Sequence, residues 1–161
     1  MTTREKIVDM ARQEIGISEN PPKSNKVKYN DWFYPTLHPY HKSPANWPWC
    51  GTFVSYVYSF CGWGLDTIDY DSGFCSVPNL LKWAKKNNKV TDDPKPGDIV
   101  VFMWGGKPTH VGLFVSKHSE NQFISIEGNT SATETGSQDN GGEVAIKRRF
   151  YSDAVFINVI D

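Results

Sequence analysis

After Lys89 the hydrophobic pattern of this 161-residue chain changes period, and that change limits its fold more than any other feature. Ahead of it, apolar residues recur at helical intervals. Ile7, Met10, Ala11 and Ile15 mark a helix over residues 3–16, with Thr2 and Glu5 at capping-box spacing and Gly16 as its stop. Cys50, Phe53, Val54, Val57 and Phe60 share one face of a second helix over 50–61, ended by Gly62 and Gly64. A third, over 77–87, has Ser76 as its cap, Pro78 in its first turn and Leu80, Leu81 and Ala84 facing inward. Beyond the turn Pro94-Lys95-Pro96-Gly97-Asp98, five strand-like runs follow, over 99–104, 110–116, 122–127, 143–150 and 154–160. Helices first and strands second indicate an α+β domain, with N-terminal helices packed on a C-terminal antiparallel β-sheet of about five strands.

Between the first two helices, residues 17–49 carry six prolines and read as a long irregular loop. Its aromatics, among them Tyr29, Trp32, Phe33, Tyr34 and Trp49, favour an ordered, packed loop over a disordered one. The Ser-, Thr- and Gly-rich stretch 130–142 reads as a flexible surface loop. No linker or internal repeat interrupts the chain, so residues 1–161 are expected to form a single domain.

The net charge of −1 excludes the basic surface that nucleic acid requires, and it gives no long-range pull toward an anionic polymer. The short run Lys147-Arg148-Arg149 reads as a solvated strand edge. No segment approaches the roughly 18 apolar residues of a membrane span, so no membrane insertion is expected. The N-terminus runs straight into an amphipathic helix without an apolar signal core. Synthesis in the cytoplasm is the expectation, with any external substrate reached after release or delivery. A monomer is expected.

The odd set of three cysteines, Cys50, Cys61 and Cys75, argues against a disulfide framework. No cluster has metal-ligand spacing, and no metal or cofactor is expected. Cys50 stands where a Pro-bearing loop meets an apolar helix. A helix N-terminus offers free N–H groups and the positive end of a dipole, which stabilise a thiolate and can cradle an oxyanion. Gly51 leaves room for substrate. The alternative is a buried cysteine in a Trp cage.

His110 opens a strand just after a turn, where an imidazole can exchange protons at a cleft rim. Glu127 ends the next strand, and Asn129 would project to the same side in extended chain. If the two strands pair through the 117–121 turn, Glu127 arrives beside His110 and can fix its tautomer. Taken singly, His110 is as well explained as a surface turn residue and Glu127 as a turn hydrogen bonder. Together with Cys50 they form a thiol, base and orienter set.

Four blocks in this order carry a family likeness: Trp47-Pro48-Trp49-Cys50-Gly51-Thr52-Phe53-Val54-Ser55, Lys95-Pro96-Gly97-Asp98-Ile99-Val100-Val101-Phe102, Thr109-His110-Val111-Gly112-Leu113-Phe114 and Ile126-Glu127-Gly128-Asn129. They resemble the cysteine, histidine-dependent amidohydrolase/peptidase (CHAP) domain common in phage endolysins, over nearly the whole chain. The resemblance implies a papain-like α+β fold and hydrolysis of peptidoglycan, either at the N-acetylmuramoyl-L-alanine amide or within the stem or cross-bridge peptide. It implies Cys50 as nucleophile, His110 as base, Glu127 as orienter and Asn129 in a supporting polar role. Tyr29, Trp49, Gly51 and Thr109 are the expected substrate-binding residues.

Residues 35–46 look like an insertion ahead of the nucleophile. Asp66, Asp69 and Asp71 lack the spacing of an EF-hand calcium loop. Cys61, Cys75, His38, His41 and His118 read as core, turn or surface residues. A phage lysin is the leading functional expectation. An interbacterial amidase effector with the same chemistry is the runner-up, and a catalytically silent wall-peptide-binding module is the reading from another class.

Overall fold

A computed structural model describes residues 1–37, 46–64 and 75–161. Residues 38–45, which include His38, His41 and most of the expected insertion, lie outside the described residues, as do Asp66, Asp69 and Asp71. The described elements are helices α1 (Thr3–Gln13), α2 (Lys28–Leu37), α3 (Cys50–Phe60) and α4 (Val77–Lys86). Strands β1 (Val90–Thr91), β2 (Ile99–Phe102), β3 (His110–Lys117), β4 (Gln122–Thr130), β5 (Glu143–Phe150) and β6 (Ala154–Ile157) follow. The strands form one six-stranded sheet in the order β1-β6-β2-β3-β4-β5, with every pair antiparallel. The fold is α+β, helices first and sheet second.

Local chemistry explains most boundaries. Thr2 and Glu5 close a reciprocal capping box at the start of α1. Gly16 takes φ 96° beyond its end. The helix stops at Gln13, so Ile15 leaves the helical face and is 41% exposed, contrary to its reading as a core residue. Ser76 precedes α4 but makes no side-chain cap bond; Pro78 in the first turn and the buried Leu80, Leu81 and Ala84 suffice. The two-residue β1 carries too little sequence to show a period.

The largest departure from the sequence reading is α2. It forms inside the proline-rich stretch, with Pro35 within it. Burial outweighs the lost N–H of one proline near the helix end. Tyr29, Phe33 and Tyr34 are all buried, and Tyr29 packs edge-on to Phe53 of α3 at 5.2 Å. Each such side chain contributes on the order of 2 kcal/mol, comparable to the roughly 3 kcal/mol cost of an interior proline.

The sheet buries both faces. Alternation turns Ile99, Val101, Val111, Leu113, Val115, Ile126 and Ile157 toward the helices. The opposite face carries a smaller aromatic cluster of Val100, Phe102, Phe114, Phe123 and Phe156. Helix α3 lies close against the sheet because Gly128 has no side chain: a Cβ there would meet Phe53 at 2.6 Å. Residues 50–55, 57 and 58 of α3 are buried. Phe60, assigned to that face by its spacing, is instead exposed at the end of the helix and packs on Tyr56 at 4.4 Å.

Candidate active site

The segment before α3 is pinned from three sides, and this fixes where Cys50 begins the helix. Trp49 is fully buried; its indole N–H donates to Glu19 at 3.0 Å, and its ring stacks on Tyr29 at 5.4 Å. Asn30 donates to the carbonyl of Trp47 at 2.8 Å and accepts from the Thr52 hydroxyl at 2.8 Å. Trp49 occupies the N-cap, but its side chain caps nothing. Among the described residues, the first amides of α3 have no side-chain acceptor, and they lie next to a thiol that is only 6% exposed.

Strand pairing brings the base and the carboxylate together. Leu113 lies opposite Ile126, which sets Gly112 against Glu127. A Cβ on Gly112 would meet Glu127 Cγ at 2.6 Å. Glycine thus clears the diagonal path along which the carboxylate reaches His110, two residues away on the same face. His110 Nε2 and Glu127 Oε1 are 2.9 Å apart, and both side chains are fully buried. The imidazole also stacks on Trp104 at 5.5 Å and Phe102 at 5.7 Å.

With Nε2 occupied, Nδ1 is the ring nitrogen left for the thiol, and it makes no aligned hydrogen bond in this state. Burial pulls the imidazole pKa down, but the adjacent Cys50 sulfur and then the Glu127 carboxylate outweigh it and lift the pKa to about 9. For Glu127, burial pushes upward, and hydrogen bonds from Arg149 and His110 overcome it and hold the carboxyl at about 2. The arrangement keeps a proton on the imidazole at neutral pH, between a sulfur and an ionised carboxylate.

The chain matches the family model of the CHAP domain over residues 41–129, more than half its length. It belongs to the CHAP domain family. Cys50, His110, Glu127 and Asn129 fall inside the matched span; Tyr29 lies outside it. A crystal structure of an N-acetylmuramoyl-L-alanine amidase from Staphylococcus aureus is similar at 17% identity and a TM-score of 0.49, covering 72% of this chain and 31% of that one. The chain thus spans about a third of the length of that amidase. No curated protein matches.

Tyr29 is fully buried, with its hydroxyl donated to Glu14 at 2.6 Å. Gly51 is buried in the first turn of α3. The Thr109 hydroxyl is engaged with the carbonyls of Trp104 and Lys107 at 3.0 and 2.9 Å. Asn129 does not continue the alternation from Glu127. Its φ of 56° and the register break between Glu127 and Thr130 turn it to the 130–142 loop, where it bonds Asn140 and Gly142 at 3.0 Å each. Cys61 and Cys75 are partly buried, and burial raises both thiols. His118 lies 3.5 Å from Arg148 at the surface.

Arg149 and Lys147 are 9% and 4% exposed, not a solvated edge. Arg149 Nε and Nη2 grip the two Glu127 oxygens at 2.8 and 2.6 Å, and Lys147 Nζ donates to the Ser131 carbonyl at 2.7 Å. The 130–142 loop is tied down rather than loose: Gln138 alone bonds Thr130, Thr133, Gly136 and Arg149. Asn30, Arg149 and Gln138 were all missed. The period-2 pattern of 143–150 held the only signal, since it places residues 145, 147 and 149 on the Glu127 face.

Proposed function

We propose that this CHAP domain is a peptidoglycan hydrolase that cleaves an amide bond by cysteine nucleophilic catalysis, in the manner of a lysin. The observation that carries the reading is the buried His110, with one ring nitrogen on Glu127 and the other left for Cys50. Family membership supports the same chemistry. The named amidase activity of the staphylococcal protein suggests the N-acetylmuramoyl-L-alanine bond as the first one to test.

In this mechanism the Cys50 proton resides on His110 Nδ1, and Sγ attacks the scissile carbonyl. The carbonyl oxygen becomes an oxyanion beside the uncapped amides at the start of α3. His110 then gives its proton to the leaving amine, and a thioester to Cys50 remains. Water, deprotonated by the now neutral imidazole, attacks the thioester and releases the acid. Glu127 holds the tautomer and favours the imidazolium throughout. Thr109 and Gly51 shape the rim, whereas Tyr29 and Trp49 support the nucleophile's loop from beneath.

The test is digestion of purified peptidoglycan followed by mass spectrometry of the fragments. Wild type should generate new amine and carboxyl termini at one amide type, and His110→Ala should generate none while retaining its circular dichroism spectrum. Fragments broken only at glycosidic bonds would contradict the proposal.

A further inference from the structure

The proposed reaction leaves Arg149 without a role, yet its guanidinium makes two parallel bonds to the carboxylate that orients His110, at 2.8 and 2.6 Å. Arg149 is itself held in place. Nη1 donates to Gln138 Oε1 at 3.0 Å, and Nη2 reaches the Thr130 hydroxyl at 3.3 Å. The guanidinium lies over Trp104 at 4.9 Å and over Phe102 at 5.4 Å, the two rings that stack on the imidazole. We infer that Arg149 is a positioning residue, which keeps Glu127 ionised and in one rotamer so that Nδ1 of His110 stays turned to Cys50.

The inference rests on the catalytic reading of Cys50, His110 and Glu127 and extends it outward by one residue. Its physical basis is the cost of a fully buried carboxylate. The groups facing Glu127 are His110 of β3, Ser125 of its own strand, and Arg149 and Lys147 of β5, with Cys50 beyond the imidazole. Ser125 donates a hydrogen bond but brings no charge. Lys147 turns its ammonium to the carbonyls of Ser131 and Thr133 at 2.7 and 3.3 Å. Arg149 is thus the cation that stays charged whether or not His110 has given up its proton. Its planar fork also fixes the carboxylate plane, which one ammonium does not.

Carbon-13 NMR titration of the glutamate carboxyls, in wild type, Arg149→Met and Arg149→Lys, tests this without any substrate. Glu127 should remain ionised down to about pH 2 in wild type. In Arg149→Met its titration should rise above the ordinary 4.5, because burial is then opposed only by His110 and the uncharged Ser125 hydroxyl. The clearing rate of a cell-wall suspension should fall about 10²-fold and acquire an acid limb at that same pH. Arg149→Lys should keep the acid limb low while regaining only part of the rate. A folded Arg149→Met with an unshifted Glu127 titration and an unchanged pH profile overturns the inference. If that variant does not fold, full wild-type rate in Arg149→Lys overturns it instead. A wild type that clears no wall at any pH sinks the hydrolase reading, and the carboxyl titration still decides what Arg149 does.

Discussion

Glu127 accepts bonds from His110, Ser125 and twice from Arg149, and so has no spare lone pair on either oxygen. Glu127→Gln should therefore cost both charge and fit, since the new amide N–H groups face donors. A rate loss of about 10²-fold is expected, against near-complete loss in Cys50→Ala, read as clearing of a wall suspension. The same pair makes stability depend on pH. Glu127 is depressed to about 2 from 4.5, so its contribution is full above 4.5 and fades as pH falls toward 2. His110 is raised to about 9 from 6.5, so its contribution is full below 6.5 and is lost as pH rises through 9. Thermal midpoints should thus be highest between about 4.5 and 6.5 from this pair, and His110→Ala should flatten the alkaline fall. An alkaline fall as steep in His110→Ala as in wild type would assign the effect to other groups.

At the scale of elements, one glycine, Gly128, governs how helix and sheet meet. Gly128→Ala would place a methyl 2.6 Å from Phe53, well inside van der Waals contact, and should destabilise by about 1–3 kcal/mol in urea unfolding. A stability within about 0.5 kcal/mol of wild type would show that α3 can slide away without cost. How much of this was legible follows from what each segment's pattern could carry. The helices at 3–13, 50–60 and 77–86 show apolar residues at helical spacing, and the longer strands are mostly apolar runs bounded by turns. The meeting of His110 with Glu127 follows from β3 and β4 being consecutive and antiparallel, which a short turn nearly dictates. Helix α2 was hidden because Pro35 within it and the prolines on either side argue locally against a helix, while the aromatic packing that favours it is tertiary. Asn129 was misdirected because its left-handed backbone breaks a count of two that sequence does not reveal. Arg149 was hidden by its neighbours, since a run of three bases looks solvated until the sheet assigns alternate residues to opposite faces.

The whole molecule carries a net charge of −1 and, among the described residues, no helix long and apolar enough to cross a membrane. Long-range attraction then contributes little to capture of an anionic wall polymer. Clearing rates should stay within about twofold between 50 and 300 mM salt, conditions that shorten the Debye length from roughly 14 to 6 Å. A steep fall with salt would point instead to a local basic surface that binds the wall. The account's central claim, that one sulfur performs the chemistry, is tested most directly by alkylation. Iodoacetamide is added at pH 7, the modified fraction of each cysteine is read by peptide mass spectrometry, and the remaining wall-clearing activity is measured on the same samples. Cys50 should react ahead of Cys61 and Cys75, whose thiols burial raises, and activity should fall in proportion to Cys50 modification alone. Full activity in protein whose Cys50 is completely alkylated would contradict the mechanism.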